Sequence, residues 1–301
     1  MQITFRQLRL FLALADTGSV TGAARALHVT QPTASMQLRE VAAVVGLPLF
    51  EVIGRRVHLT EAGRELAQVA RSMFAEWDAF GQKIDAMRGL TRGVLRVAVV
   101  STAQYFMPRL LGTFCDRHPA IDVRLEVLNR DGVVGRLRDN RDDLYIMSMP
   151  PTDIDIDDQV FMPNPLVVIA PAGHALARRR HLVLRDLRGE QFILRERGSG
   201  TRMAADEHFR RKRFAPRVRL ELGSNEAIVE AVAGKLGVAV VSVHALGERP
   251  SGRGIAVLRV EDFPITSSWH IVRPKGKRPS PVALAFQQHL SETHRRGGLP
   301  T

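Results

Sequence analysis

One cysteine, Cys115, stands in 301 residues, which excludes an internal disulfide and a cysteine-built metal cluster and suits a reducing compartment. No run approaches the roughly 18 apolar residues of a membrane span, since even Val94 to Val100 is broken by Arg96. Met1 to Leu14 carries Arg6 and Arg9 and lacks the apolar core of a signal peptide, so the expectation is a soluble, cytoplasmic protein. The ten histidines show no His-Glu-x-x-His spacing, and Asp153, Asp155, Asp157 and Asp158 lack the glycine and glutamate of a calcium loop. That acidic run is read as a solvated connection. No strand-turn-helix nucleophile motif occurs either, so neither metal, cofactor nor catalysis is expected. There is no repeat of fixed period.

What is present is a chain long enough for two or three domains, with 43 Lys and Arg against 31 Asp and Glu, a net charge of +12. Such a surplus favours anionic partners. Residues 1–60 hold six basic and three acidic side chains and 61–92 five of each, so nine of the twelve surplus charges lie beyond 92. Charge alone would misplace a nucleic-acid site, and it serves here only as weak support.

The first sixty residues read as a compact helical unit. Phe5, Leu8, Leu12 and Ala15 recur at helical spacing until Thr17-Gly18-Ser19 breaks the run. Ser19 then caps a short helix bearing Val20, Ala23, Ala24 and Leu27, and Thr30 caps a third with Pro32 in its first turn and Leu38, Val41 and Val45 inward. Gly46-Leu47-Pro48 ends it, and two extended pieces follow around Ile53-Gly54-Arg55. This order is a winged helix-turn-helix. Its third helix would enter the major groove, with Thr30 and Pro32 at the phosphate-gripping first turn and Gln31, Ser35 and Arg39 on the outward face, types able to read base edges. Arg55 and Arg56 at the hairpin tip fit a wing over the sugar-phosphate backbone. A polar helical stripe is otherwise simply solvated; the order of elements favours the DNA reading.

Thr60 caps a long helix from about Glu61 to about Met87 whose Leu66, Val69, Met73, Trp77, Phe80 and Ile84 form one narrow apolar face. A helix of that length outreaches a sixty-residue domain, so a dimer helix is expected, with a hinge at Gly89 to Gly93. From Val94 the pattern becomes short apolar strands alternating with helices, an α/β sheet domain. The strands predicted are Val94 to Val100, Val123 to Val127, Leu144 to Met147, Leu166 to Ala170, Phe192 to Arg195, Arg219 to Leu222, Val238 to Val241 and Trp269 to Val272. Ser101-Thr102 and Asn129-Arg130 follow the first two, at the strand ends where open α/β sheets bind ligands. Arg130 suits a phosphate or carboxylate, unless it pairs with Asp131 or Glu126. After Phe192 to Arg195 comes Arg197-Gly198-Ser199-Gly200-Thr201-Arg202 and a helix from Met203, a glycine loop suited to anions at a helix N-terminus, or else an ordinary capped turn. Ser224-Asn225 is read as a cap of the next helix rather than as a ligand contact.

Phe5-Arg6-Gln7-Leu8-Arg9-Leu10-Phe11, Gly18-Ser19, Ala23-Ala24, Thr30-Gln31-Pro32, Ser35, Leu49-Phe50-Glu51, Arg55 and Leu59-Thr60-Glu61-Ala62-Gly63 resemble the LysR-type transcriptional regulators. The resemblance implies an α+β multidomain chain: a winged helix-turn-helix over 1–60, a dimerisation helix and hinge over 61–92, and an effector-binding domain of periplasmic-binding-protein type over 93–301. Its subdomain I would span about 93–166 and 267–301, and subdomain II about 167–266. It further implies a homodimer or dimer-of-dimers tetramer on double-stranded promoter dyads, RNA polymerase as a partner, no membrane, and a small-molecule coinducer between the subdomains. Ser101, Thr102, Asn129, Arg130, Thr201 and Arg202 are the lining candidates, and they point to an anionic metabolite. Val52 stands where many members carry arginine, and Val41-Ala42 where leucine-glutamate is common. Within the family, Val45-Gly46-Leu47-Pro48-Leu49-Phe50-Glu51, Ile53-Gly54-Arg55-Arg56-Val57-His58-Leu59-Thr60, Asn164-Pro165-Leu166-Val167-Val168-Ile169-Ala170-Pro171, Gly198-Ser199-Gly200-Thr201-Arg202 and Gly223-Ser224-Asn225-Glu226-Ala227-Ile228 are similar to the regulators of Calvin-cycle carbon fixation. That implies a phosphorylated metabolite such as ribulose bisphosphate or phosphoenolpyruvate, or a reduced nicotinamide phosphate. Regulation of sulfur, nitrogen or aromatic-acid metabolism stays open. A solute-binding protein and an enzyme of a phosphorylated substrate are the readings of another class; the winged N-terminus speaks against the first.

Replacing Gln31 and Ser35 together by alanine is expected to relax sequence preference, whereas Arg56→Ala weakens binding to every sequence and lowers the salt slope by about one. Fluorescence anisotropy on operator variants checks both; unchanged preference in the double variant refutes the recognition face.

Overall fold

The computed structural model describes residues 2–54, 56–87, 92–247 and 250–295. Two compact units emerge, one of Met1–Gly81 with Asp139–Arg141, the other of Gln82–Arg138 with Asp142–Thr301.

In the first, α1 (Phe5–Thr17) starts from a capping box, Thr4 Oγ1 accepting the Gln7 N–H while Gln7 Oε1 accepts the Thr4 N–H, and stops at Gly18 in the left-handed region. α2 (Val20–Ala26) begins at Ser19 and α3 (Gln31–Val45) at Thr30, each cap hydroxyl accepting a backbone N–H. Ala23 and Ala24 are buried against Leu10, Phe11, Leu14, Leu38 and Val41, their small size letting three helices share one short core. β1 (Phe50–Ile53) and β2 (Arg56–Leu59) pair antiparallel as the wing, and the Val57 N–H donates to the Gly18 carbonyl, tying it to the α1 terminus. α4 (Glu61–Met87) then runs for 27 residues, about 40 Å. Along it Val69, Met73, Trp77 and Phe80 are each 44–55 % exposed.

The second unit repeats one arrangement. β3 (Gly93–Val100), α5 (Met107–Arg117), β4 (Ile121–Leu128), α6 (Arg130–Arg138) and β5 (Leu144–Met147) form a parallel β-α-β-α-β run, with β3 central. β6 (Ile156–Pro163) leads into β7 (Leu166–Pro171), and β8 (Gln191–Arg195), α7 (Gly200–Arg211), β9 (Arg217–Leu222), α8 (Asn225–Ala233) and β10 (Val238–Ser242) give a second such run around β8. β11 (Ile255–Val257) pairs with β7. β12 (Ser268–Pro274) returns to the first sheet and α9 (Pro281–Arg295) covers it. The sheet orders are β4-β3-β5-β12-β6 and β11-β7-β10-β8-β9. Each sheet thus has its first three parallel strands in the same relative order, and the carboxyl ends of β3, β4, β5 and β8 are where polar groups collect.

Two expectations need correction, and a third lies mostly outside the described residues. Asp157 and Asp158 lie in β6, pairing with Arg273 and His270 of β12, so the acidic run is partly a strand whose charges are met across the ladder. β6 and β11 escaped a hydrophobicity reading, β6 because Asp157, Asp158 and Gln159 follow one another in its first half. α7 begins at Gly200 rather than Met203, which puts Thr201 and Arg202 in its first turn. The expected hinge at Gly89 to Gly93 falls mostly outside the described residues, and Gly93 itself opens β3.

A side chain at Gly63 would run into the Leu49 carbonyl, whereas one at Gly81 in the same helix meets nothing within 4 Å. Gly63→Ala is therefore expected to destabilise the first unit by about 2 kcal/mol, and Gly81→Ala to leave it equal or more stable. Urea unfolding followed on Trp77 reads both.

Candidate functional site

On α3, Gln31, Pro32 and Arg39 are exposed and Ser35 is half-buried. Gln31 Nε2 donates to Ser35 Oγ at 3.0 Å, so the two side chains share one face, and the Thr30 and Thr33 hydroxyls pair at 2.8 Å at the start of the helix. Arg39 and Arg56 are exposed and have no ion pair among the described residues, as a phosphate-contacting surface requires. Arg55 lies outside the described residues.

The second site is a cleft between the two sheets of the second unit, organised by Arg195 at the end of β8. Its side chain is 2 % exposed. Nη1 donates to Asn225 Oδ1 at 2.9 Å and Thr102 Oγ1 at 3.4 Å, Nη2 to Ser101 Oγ at 3.1 Å, and Nε and Nη2 to the two Glu196 oxygens at 2.7 and 2.9 Å. Asn225 Nδ2 also donates to Thr102 Oγ1, at 3.0 Å. Ser101 and Thr102 belong to the 3-10 turn after β3, so the cation joins the strand ends of both sheets. Because these two hydroxyl oxygens already accept, their own O–H groups are left to donate. A buried cation thereby converts two hydroxyls into donors suited to an anion.

Other donors stand close by. Ser148, Ser199 and Thr201 are each under 5 % exposed, and none of their hydroxyls has a protein hydrogen-bond partner among the described residues. The ideal Cβ of a residue at Gly200 would stand 2.8 Å from Ser148 Oγ, and one at Gly198, where φ is +86°, would strike the Asp131 carboxylate. Both glycines let the start of α7 approach the ends of β4 and β5. Ser199 occupies the N-cap of α7 without a capping hydrogen bond, leaving first-turn N–H groups open to an anion.

The six lining candidates divide. Ser101 and Thr102 sit on Arg195, and Thr201 is at the α7 terminus. Asn129 accepts the Gly132 N–H as the cap of α6, a structural role. Arg130 donates through Nε to the Met149 carbonyl at 2.7 Å and stands 3.9 Å from Asp131; burial pulls its pKa down, with Asp131 offsetting part of the effect. The structure thus leaves a largely buried cation with weak compensation beside the cleft. Arg202 is different: Asp206 and Glu221 hold it at 2.8 and 2.9 Å and its Nη1 supports the Arg195 carbonyl at 2.8 Å, so its charge is committed to α7 and β9 instead of a ligand. Burial would lower its pKa, but the two carboxylates outweigh that and raise it. Ser224 caps Ala227, and Glu226 accepts from Tyr105 at 2.6 Å and Gln104 at 2.9 Å across the cleft. Burial pushes the Tyr105 hydroxyl well above its usual range, as does the Glu226 carboxylate it bonds.

Arg195, Glu196, Asn225, Ser148 and Ser199 were not predicted as site residues. Arg195 had a visible signal, an arginine ending the apolar run Phe192-Ile193-Leu194, where a strand is buried and a charge needs a partner. Among the described residues, no group of three His, Cys, Asp or Glu is placed to hold a metal ion, and no helix is long and apolar enough to cross a membrane.

Residues 5–64 match the model of the bacterial regulatory helix-turn-helix proteins of the lysR family, and residues 88–295 that of the LysR substrate binding domain. The chain belongs to the LysR family of transcription regulators. It is 42 % identical to the HTH-type transcriptional activator CmpR of Synechocystis, covering 95 % of this chain and 94 % of that one. To the RuBisCO operon transcriptional regulator of Allochromatium vinosum it is 42 % identical, covering 98 % of each. Among solved structures, the regulatory domain of Synechocystis CcmR in complex with 2-PG is 43 % identical with a TM-score of 0.66, covering 68 % of this LysR-type chain and 99 % of that domain.

Arg195→Leu would strip Asn225, Thr102 and Glu196 of their buried partner. A loss of about 3 kcal/mol is expected in the urea stability of the second unit, followed on Trp269; a change within error would show that Arg195 does not organise the cleft.

Proposed function

We propose that this LysR-type regulator controls carbon-fixation genes of the Calvin cycle in response to a small anionic metabolite held between the two sheets of its regulatory unit. Helix α3 reads the operator through Gln31, Ser35 and Arg39, with Thr30 and Pro32 at its first turn, while Arg55 and Arg56 of the wing hold the backbone. The apolar face of α4 joins two chains into a dimer, and pairing of dimers, contact with RNA polymerase and a cytoplasmic location complete the reading. The domains run 1–60, 61–92 and 93–301, with subdomain I at about 93–166 and 267–301 and subdomain II at about 167–266, a division that the change of sheet between β6 and β7 and again before β12 supports.

The observation that carries the effector class is the buried Arg195, which turns the Ser101 and Thr102 hydroxyls into donors next to the open α7 terminus. Thr201 and Arg130 join that donor set. The relatives named for the RuBisCO operon support the pathway, and the CcmR domain bound to 2-PG supports a small anion as the ligand class. Regulation follows if the anion binds one arrangement of the assembly more tightly than another, since equal affinities would shift nothing. This is ligand-dependent DNA binding without turnover.

A thermal-shift titration with 2-PG, ribulose bisphosphate, phosphoenolpyruvate and NADPH tests the reading. At 100 times its dissociation constant a true effector stabilises by about 2.7 kcal/mol. A saturable shift is expected for at least one of them, lost in Thr201→Val and Arg130→Ala. Footprints on the DNA upstream of the RuBisCO genes are expected to change at the same concentrations. No saturable shift, with unchanged footprints, would overturn the effector assignment while leaving the DNA-binding role intact.

A further inference from the structure

The guanidinium of Arg195 has two unlike edges. The Nη1 edge faces Asn225 and Thr102, which are 1 % and 4 % exposed, and is closed off. The edge formed by Nε and Nη2 is covered by the Glu196 carboxylate, whose side chain is 25 % exposed. The backbone of Glu196 is fixed, its N–H donating to the Leu222 carbonyl and its own carbonyl accepting from the Ser199 N–H. Its carboxylate, by contrast, has no partner other than Arg195 among the described residues. It can therefore leave on its flexible stem without breaking the strand.

We propose that Glu196 is a built-in counter-ion that an effector must displace from Arg195, and that it raises the affinity an anion needs, so that only one meeting several donors at once is held. The proposal rests on the anion-binding reading of this cleft. With Glu196 in place the pair carries no net charge, so an approaching anion meets a neutralised cation. A singly charged anion that took the edge would replace one carboxylate interaction by another of the same kind, against a competitor already tethered at high effective concentration. A doubly charged anion gains more, because its further oxygens meet the Ser101 and Thr102 hydroxyls, the hydroxyls of Ser199 and Thr201 and the N–H groups that open α7. The displacement cost is the same for every anion, so one that meets few donors is lost while one that meets the full donor set is kept. It would exclude abundant monovalent anions from a site whose donors would otherwise accept them.

Glu196→Gln keeps shape and an acceptor oxygen while removing the charge. Isothermal titration of the full-length protein with sulfate, nitrate and 2-PG, on the wild type, Glu196→Gln and Glu196→Asp, reads the effect, with circular dichroism confirming that each variant folds. The expected result is that Glu196→Gln binds sulfate about tenfold more tightly than the wild type. Nitrate should gain by a comparable factor, becoming detectable while the sulfate-to-nitrate ratio changes little, and Glu196→Asp should keep the wild-type affinities. Unchanged affinity for sulfate and nitrate in Glu196→Gln, with saturable binding of 2-PG by the wild type, would overturn the counter-ion role and leave the anion pocket standing. Weaker binding by Glu196→Gln would overturn it as well, making Glu196 a support for Arg195. If neither protein bound any of the three probes, the anion pocket itself would fall and the counter-ion role with it.

Discussion

A guanidinium taken out of water must be met on every side, and that requirement at Arg195 sets the arrangement around the cleft. It fixes where β8 ends, which residue begins α8 and how the turn after β3 is wound, because Glu196, Asn225, Ser101 and Thr102 all answer to the same cation. Arg202 belongs to this scheme from behind, supporting the Arg195 carbonyl while its own charge is absorbed by Asp206 and Glu221. Two sheets with separate cores are joined at their strand ends by polar groups and by His244, which rests against Phe106 and Trp269.

In the proposed function the chain recognises negative charge in two physically different ways. On α3 and the wing, Arg39 and Arg56, exposed and without ion pairs among the described residues, would work in water, where attraction to a polyanion is strong in sum, weak per contact and readily screened. In the cleft, hydroxyls and helix N–H groups work largely out of water, where each donor counts for more and the geometry must be made in advance. The first arrangement suits a long ligand whose sequence is read by a few side chains; the second suits one small molecule. The unequal distribution of basic residues along the sequence reveals neither, since the cleft is made mainly of neutral donors, and Arg195 and Arg202 are balanced by neighbouring carboxylates.

Much of this was legible before any coordinates. Ser19, Thr30 and Thr60 sit before periodic apolar runs, and the helices begin beside them; Glu61 to Met87 reads as one helix because nothing breaks its apolar stripe. Ser101, Thr102 and Thr201 are singled out by their places after strands, and the fold sets them beside Arg195 or at the start of α7. What was missed depended on partners distant in sequence. Arg195 reads as the end of a strand until Asn225 and Thr102, 30 and 93 residues away, are brought beside it. Ser148 has no local pattern at all, and only the approach of Gly200 gives it a role. β6 was hidden because its acidic side chains are neutralised from β12, over a hundred residues later.

That last strand has a consequence for how the chain is made. In the first sheet β12 lies between β5 and β6, yet it follows β6 only after the whole second sheet has been traversed. While the polypeptide emerges from the ribosome, β5 has one edge open and β6 has no neighbour, whereas the second sheet is contiguous in the sequence and has all its strands once Val257 is out. The later half of the regulatory unit is thus equipped to settle first, and the earlier half must wait with an unpaired apolar edge until Ser268–Pro274 arrives. The order of assembly runs against the order of synthesis.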